Sequence, residues 1–79
     1  METKPYNSYL KELGKNLRSI RKGKGLTMET VANEAEIEYR QLGRIERGEI
    51  NTTIISLLRI AEVLKVDIKE FFDFECKSK

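Results

Sequence analysis

Apolar residues recur along most of the chain at the three- and four-residue spacing of a single helix face. The first series runs from Leu10 to Ile20. It predicts a helix that begins with Asn7 or Ser8 as its N-cap and ends in the glycine- and lysine-rich residues 22–25. No stretch alternates apolar and polar residues for long enough to predict a strand. The pattern therefore indicates an all-α fold.

A pair of shorter helices is predicted next. The second helix starts after the N-cap residue Thr27, and the third starts near Glu38 and ends at Gly48. Residues 35–37 join the two. Two short helices joined by about three residues have the geometry of a helix-turn-helix.

The fourth predicted helix starts near Thr52 or Thr53. Its inward face is expected to hold Ile54, Leu57, Leu58, Ala61 and Leu64. Asp67 and Glu70 have the spacing of a capping box and predict a short fifth helix that runs to about Phe74. We therefore expect a compact five-helix domain.

The chain is long enough for one small domain with short ends, at 79 residues. Its single proline, Pro5, predicts a mobile arm over residues 1–7. The domain itself is expected to span residues 8–74, and residues 75–79 form a tail.

Composition removes most enzyme chemistry from consideration. Histidine is absent and Cys76 is the only cysteine, so the commonest general base is missing and no thiolate metal site can be built from one chain. No apolar run reaches the roughly 20 residues that span a bilayer. We expect a cytoplasmic protein that is not an enzyme and that uses no metal, no other cofactor and no membrane.

The small net charge of +2 conceals a strong gradient. Residues 11–24 hold six basic side chains and one acid, residues 26–38 hold four acids and no base, and residues 39–47 hold three arginines and one glutamate. Clustered basic stretches are typical of proteins with a polyanionic partner. On charge alone, solvated helix faces are the simpler interpretation.

Three segments carry a resemblance to a known family: LRSIRKGKGLT, RIERGEIN and LLRIAEVLKVDIKEFF. With the helix-turn-helix spacing, they make the chain resemble the lambda-repressor-like (Cro/XRE-type) helix-turn-helix DNA-binding proteins. The resemblance runs from about Leu13 to Phe72. It implies the five-helix fold of that family, with the helix-turn-helix formed by helices 2 and 3.

The same resemblance implies a recognition helix over residues 39–47 that lies in the major groove. The residues expected to read bases are Tyr39, Arg40, Gln41 and Arg44. Arginine pairs with guanine and glutamine with adenine through two hydrogen bonds each, which suits this role. The plainer alternative for the two arginines is one solvated helix face.

Further roles follow from the resemblance. The residues expected to contact phosphate are Thr27, Arg47, Asn51 and Thr53. Both threonines also have an ordinary role as N-caps, which is compatible with phosphate binding at a helix N-terminus. Arg21 and Glu46 look like the pair that forms a buried salt bridge between the first and third helices of this family. Two solvated charges are the alternative.

Five positions depart from the family pattern. Met28 stands where relatives usually carry glutamine, Glu36 takes the turn position of a glycine, and Glu38 replaces a better N-cap. Thr52 replaces a proline and Lys65 a glycine. Glu36 and Glu38 also place negative charge close to the expected DNA.

A single helix-turn-helix reads one half-site, and two copies usually read a two-fold site. Phe71, Phe72 and Phe74 cannot all face one small core, because adjacent helical residues point about 100° apart. Phe71 is expected to pack inward, and a homodimer interface is expected at Ile68, Phe72 and Phe74. The alternative is that the phenylalanines close the end of a monomeric core.

The function predicted from these features is sequence-specific binding of double-stranded DNA by a small homodimeric transcriptional regulator of the repressor type. A phage regulator, a restriction-modification controller and an antitoxin all fit the sequence. The alternative is a protein-interaction module on the same fold, such as an antitoxin or regulatory partner with weak DNA binding.

Overall fold

The computed structural model describes residues 4–75, so Cys76 and the rest of the predicted tail beyond residue 75 lie outside the described residues. Four α-helices follow a short 3-10 turn over Lys4–Tyr6. They are α1 (Asn7–Gly23), α2 (Met28–Ala35), α3 (Tyr39–Glu46) and α4 (Ile54–Leu64), and a 3-10 helix over Ile68–Phe72 ends the fold. Residues 4–75 contain no strand, which confirms the all-α prediction for this part of the chain.

The predicted count of five helices is not confirmed, because the fold has four α-helices and the segment predicted as the fifth is a short 3-10 helix. The amide of Glu70 donates to the carbonyl oxygen of Asp67 at 2.9 Å, which is a 3-10 hydrogen bond. The Asp67 carboxylate instead accepts from the amide of Lys69 at 3.0 Å, so the predicted capping box does not form. Phe71 nevertheless packs fully inside, as expected.

Threonine side chains start two of the helices. The Thr27 hydroxyl oxygen accepts from the amide of Thr30, and the Thr53 hydroxyl oxygen accepts from the amide of Ser56, each at 3.1 Å. These bonds satisfy donors that the first turn of a helix leaves open. At α1 the predicted caps are wrong, because the helix already begins at Asn7 and its N-cap residue, Tyr6, makes no side-chain cap bond.

Two of these helices end in a left-handed residue that is not glycine. Glu36 after α2 and Lys65 after α4 both have φ of 60°. In each case the amide of the following residue donates a hydrogen bond back to the helix. The amide of Ile37 donates to the carbonyl of Ala32 at 3.0 Å, and that of Val66 donates to the carbonyl of Ala61 at 3.1 Å. A left-handed residue with a side chain costs about 1 kcal/mol, so these turns are held by the packing around them.

The core is built from the inward faces of all four helices and the 3-10 helix. Its fully buried residues include Leu17, Val31, Leu42, Ile60 and Phe71. The face predicted for α4 is partly wrong. Leu57, Ala61 and Leu64 are buried as expected, but Ile54 and Leu58 are exposed and Ile60 takes their place.

The physical reason lies in how α4 docks. It packs mainly against α2. Residues on a helix turn by about 100° each, so the stripe through Leu57, Ile60, Ala61 and Leu64 leaves Leu58 on an outer side of the helix. Ile54 lies on nearly the same side as Ala61, but it is the first residue of α4 and stays exposed. The three- and four-residue spacing of apolar residues by itself is compatible with either side of α4 facing the core.

Arg21 and Glu46 form a buried ion pair between α1 and α3. Arg21 Nε lies 2.7 Å from Glu46 Oε2, and a second guanidinium nitrogen lies 3.0 Å from Oε1. The side chains are only 7% and 4% exposed. The third guanidinium nitrogen donates to the carbonyl of Leu26 at 2.9 Å, just before α2. One arginine therefore joins the end of α1, the entry to α2 and the end of α3.

Glycine lets the same two helices approach closely. A Cβ at Gly14 would meet the carbonyl oxygen of Ile45 and lie 2.5 Å from that of Glu46. A Cβ at Gly48, which has φ of 69°, would lie 2.6 Å from Lys11 Cα. The backbones of α1 and of the end of α3 are therefore in contact at both glycines. Nothing in the hydrophobic pattern identified Gly14.

Replacing Glu46 by alanine leaves the buried Arg21 guanidinium without its carboxylate. We expect a loss of roughly 3–5 kcal/mol in the free energy of unfolding, measured by urea denaturation. Glu49→Ala removes a carboxylate from an exposed ion pair and is the control, with a small effect expected. A loss below about 1 kcal/mol for Glu46→Ala would contradict a buried role for the pair.

Gly14→Ala should force α1 and α3 apart, since a methyl group cannot fit against the carbonyl groups of α3. We expect a destabilisation of about 2 kcal/mol or more. Gly23→Ala is the matched control, because a Cβ at Gly23 meets nothing within 4 Å and alanine favours the helix. Equal melting temperatures for the two variants would show that the helices do not need this close approach.

Candidate nucleic-acid interface

Two shallow concavities adjoin where α2 and α3 begin. The larger, about 510 Å³, is lined by residues that include Thr27, Met28, Asn33 and Tyr39. The smaller, about 290 Å³, is lined by Met28, Tyr39, Arg40, Gly43 and Arg47. Since both share Met28 and Tyr39, they form one depressed surface. We call this surface the α2–α3 face.

The outer side of α3 presents polar side chains that do not pack into the core. Tyr39 is 59% exposed, and Arg40 and Arg44 are also exposed. Gln41 is half-buried, so less of its amide reaches the surface. Arg40 and Arg44 lie one turn apart and therefore project from the same side of the helix. Guanidinium groups in this arrangement can donate paired hydrogen bonds to an acceptor outside the protein.

Met28 packs α2 against α3. A Cβ added at Gly43 would lie 3.3 Å from the terminal carbon of Met28 and 3.1 Å from a guanidinium nitrogen of Arg47. The space that Gly43 leaves in α3 is thus occupied by two side chains of the protein itself. A methionine here supplies packing where a glutamine would supply a hydrogen bond.

The two cap threonines have their hydroxyl groups engaged within the protein. The Thr27 hydroxyl donates to the Thr30 hydroxyl at 3.0 Å, and the Thr53 hydroxyl donates to that of Ser56 at 3.1 Å. Their contribution to anion binding would therefore come mainly through the helix N-termini they cap. These ends carry positive potential from the aligned peptide dipoles.

Arg47 is paired with a carboxylate on the surface. Its Nε donates to Glu49 Oε2 at 2.8 Å, and both side chains are at least half exposed. The hydrogen bond from Arg47 is the main cause that lowers the pKa of Glu49 below its ordinary value, and desolvation of the carboxylate opposes it. The carboxylate is therefore ionised at neutral pH. It binds the guanidinium group that the family resemblance assigned to phosphate binding.

The predicted phosphate residues do not all border one surface. Thr27 and Arg47 line the α2–α3 face. Asn51 lines a separate groove with Tyr9 and Phe72, and Thr53 caps α4. The loop from α3 to α4 thus carries candidate anion contacts beyond the edge of the α2–α3 face.

The predicted interface residues Ile68, Phe72 and Phe74 are all partly buried in the single chain. Tyr9 of α1 contacts two of them, with ring centroids 4.9 Å from Phe74 and 6.5 Å from Phe72. These aromatic rings therefore pack over one side of α1 within the monomer.

Two surface residues near these helices were missed in the sequence. Asn33 lines the larger concavity, and Arg18 lines a further hollow of about 260 Å³ with Met28, Gly43 and Arg47. The spacing held a signal for Arg18, because it precedes Arg21 by three residues and so shares its side of α1. Asn33 had no such signal.

Acidic side chains surround the turn between α2 and α3. Glu29, Glu34, Glu36 and Glu38 are all exposed. They oppose the positive charge of Arg40, Arg44 and the basic face of α1, and any phosphate backbone nearby would experience their repulsion.

The described residues form neither a metal site nor a membrane-spanning helix. Within residues 4–75, no group of three or more His, Cys, Asp or Glu could hold a metal ion. None of the described helices is both long and apolar enough to cross a membrane.

Comparisons with known proteins agree with this geometry. The model of the helix-turn-helix family HTH_3 matches residues 17–71. The uncharacterized HTH-type transcriptional regulator y4dJ of Sinorhizobium fredii is 38% identical over 56 residues, which cover 71% of this chain and 73% of the relative. The HTH-type transcriptional regulator SlrR of Bacillus subtilis is 33% identical over 64 residues, or 80% of this chain and 42% of SlrR.

Solved structures show the same similarity. The restriction-modification controller protein C.AhdI from Aeromonas hydrophila superposes with a TM-score of 0.79 at 33% identity, covering 81% of this chain and 97% of C.AhdI. An HTH_3 family transcriptional regulator from Vibrio cholerae superposes with a TM-score of 0.76 at 31% identity, covering 84% of this chain and 38% of the regulator.

Glu49→Gln should release Arg47 for an external phosphate. We expect affinity for a short DNA duplex to rise by roughly threefold, with the slope of log affinity against log salt steeper by about 0.9, the value for one added phosphate contact. Glu62→Gln, which removes an exposed carboxylate from α4, is the control for net charge. Equal effects of the two variants would show that Glu49 acts only through overall charge.

Proposed function

The chain belongs to the Cro/XRE-type helix-turn-helix family of transcriptional regulators, and from this we propose that it binds double-stranded DNA sequence-specifically as a small homodimeric regulator in the cytoplasm. The observation that supports the proposal most is the α2–α3 face. There the exposed Tyr39 and Arg40 share one depressed surface with the N-terminus of α2 and with Arg47.

In the proposed complex, α3 enters the major groove with its N-terminal residues toward the base edges. Arg40 and Arg44 would each donate two hydrogen bonds to a guanine. Gln41 would pair with adenine after a change of side-chain rotamer, since it is half-buried. Tyr39 would contact a thymine methyl group or a phosphate.

Phosphate contacts would fix the position of α3 in the groove. The N-terminus of α2 at Thr27 and the guanidinium of Arg47 border the α2–α3 face on either side of Met28. Asn51 and the N-terminus of α4 at Thr53 would hold a phosphate farther along the backbone. Salt should weaken binding steeply, because each neutralised phosphate releases counterions.

Regulation would follow from occupancy of promoter DNA by two copies on a two-fold site. The superposition on C.AhdI covers nearly all of that protein, which favours a restriction-modification controller among the roles that the sequence allows. A second candidate function is a protein-interaction module. The four exposed glutamates around the turn and the pairing of Arg47 with Glu49 favour it, since both weaken attraction to DNA.

The test is selection of bound sequences from a random pool of short duplexes at several salt concentrations. We expect enrichment of an inverted repeat and loss of the enrichment in the variant Arg40→Glu with Arg44→Glu. Both side chains are exposed, so the variant should keep its fold. The matched control is Lys65→Glu with Lys69→Glu, which changes net charge equally outside α3.

Each other outcome has a distinct meaning. Retention of DNA without enrichment of any sequence would show that the protein binds DNA only through its phosphates. Enrichment that survives the double arginine variant would show that α3 is not the recognition helix. Absence of retention at low salt would favour the protein-interaction module.

A further inference from the structure

One side of α3 has no side chain at its middle position. Tyr39, Gly43 and Arg47 follow each other at four-residue spacing, so they form one row along the helix. Gly43 leaves a gap in this row between the tyrosine ring and the guanidinium group. The row lies beside Arg40 and Arg44, the two exposed arginines that are proposed to read bases.

Met28 of α2 fills this gap. Its terminal carbon lies 3.3 Å from the position that a Cβ of Gly43 would take. Met28 is only partly buried, and it lines both concavities of the α2–α3 face. A side chain from α2 therefore takes the middle place in a row that otherwise belongs to α3. Methionine suits such a gap, because its unbranched and flexible side chain adapts to irregular spaces.

The smaller concavity of the α2–α3 face combines apolar and cationic side chains. Met28 and Tyr39 supply a thioether and an aromatic ring, and Arg40 and Arg47 supply guanidinium groups. None of the described residues that line this concavity carries a carboxylate. The acidic residues around the turn therefore leave this part of the face unopposed.

The pairing of Arg47 with Glu49 leaves one guanidinium nitrogen directed to this concavity. Glu49 accepts hydrogen bonds from Nε and Nη2 of Arg47. The remaining nitrogen, Nη1, lies 3.1 Å from the position that a Cβ of Gly43 would take. Nη1 and the end of Met28 thus adjoin the same point, where an N–H donor meets an apolar group.

We propose that the smaller concavity holds the C5-methyl group of a thymine, so that Met28 and Tyr39 determine the sequence preference at one base pair. Thymine is the only one of the four bases that presents a methyl group in the major groove, and apolar side chains recognise it there by contact. The proposal rests on the proposed function, because it requires α3 to lie in that groove.

The chemistry of the concavity favours thymine over a phosphate and over the other pyrimidine. A thioether cannot donate a hydrogen bond, so Met28 offers little to a phosphate oxygen. Thymine carries the acceptor O4 beside its methyl group, whereas cytosine carries a donor, its N4 amino group, on the same edge. Arg40 and Arg47 have N–H donors and no acceptor, so they match thymine and not cytosine. The arginines and the apolar side chains therefore select the same base.

A methylated cytosine is a second source of the same methyl group. 5-Methylcytosine keeps the amino group of cytosine, which the arginines do not match. At the thymine position we therefore expect 5-methylcytosine to bind more weakly than thymine and more tightly than cytosine.

The test compares thymine with uracil, which lacks only the methyl group, in the sequence that is enriched from the random pool. Each thymine of one half-site is replaced in turn, and the dissociation constant is measured by fluorescence anisotropy. We expect it to rise roughly fourfold at one position, the effect of returning about one methylene-sized group to water. This position should adjoin the base pair whose preference is lost in Arg40→Ala.

Met28→Gln tests the side chain itself, because glutamine is similarly long but polar. The ratio of the uracil to the thymine dissociation constant should fall from about four to about one, whatever the change in overall affinity. Met28→Leu is the conservative variant and should keep the ratio. Tyr39→Gln is a second, independent variant at an exposed position, and it should also lower the ratio. Circular dichroism checks that each variant folds, and Tyr39→Gln carries the test if Met28→Gln does not.

The outcomes separate this proposal from the proposed function. An enriched sequence in which no thymine responds to uracil would overturn the methyl subsite and leave sequence-specific binding intact. The same holds for a response that the folded glutamine variants leave unchanged. 5-Methylcytosine that binds no better than cytosine would also overturn the methyl subsite, and 5-methylcytosine equal to thymine would overturn the selection by the arginines. Absence of any enriched sequence would overturn the proposed function and the subsite together.

Discussion

The buried ion pair between Arg21 and Glu46 is the interaction on which the rest of the fold depends. Two charges held almost out of water are tolerated only when each finds its partner, and here the guanidinium also binds the Leu26 carbonyl. The pair therefore permits little freedom in how α3 sits on α1. Close backbone contact at Gly14 also fixes the position of α3, because a small shift of α3 away from α1 would open an unfilled gap between the two backbones. The position of the proposed recognition helix is set by α1.

Opposing charges shape the surface that this arrangement presents. Arg40 and Arg44 face outward, while glutamates surround the turn and Glu49 occupies Arg47. An external phosphate must compete with that carboxylate, so binding by one copy should be weak. Weak half-site binding makes dimerisation more important for affinity, and a regulator of this kind would respond steeply to its own concentration.

The helix α4 carries apolar side chains beyond those that it buries. One side, with Ile60 fully buried, completes the core against α2. Ile55 and Leu58 point outward from the helix, and Ile54, its first residue, is also exposed.

The sequence by itself determined the elements and their order, because helix caps, glycine stops and apolar spacing are local. Thr27 and Thr53 start their helices as predicted, and Phe71 packs inward. Only the tertiary structure decided which stripe of α4 faces the core, since Leu58 and Ile60 both fit the three- and four-residue spacing around Leu57, Ala61 and Leu64, and docking on α2 buries Ile60. It also decided that Gly14 lies against α3, because contacts between distant segments leave no periodic trace in a single sequence.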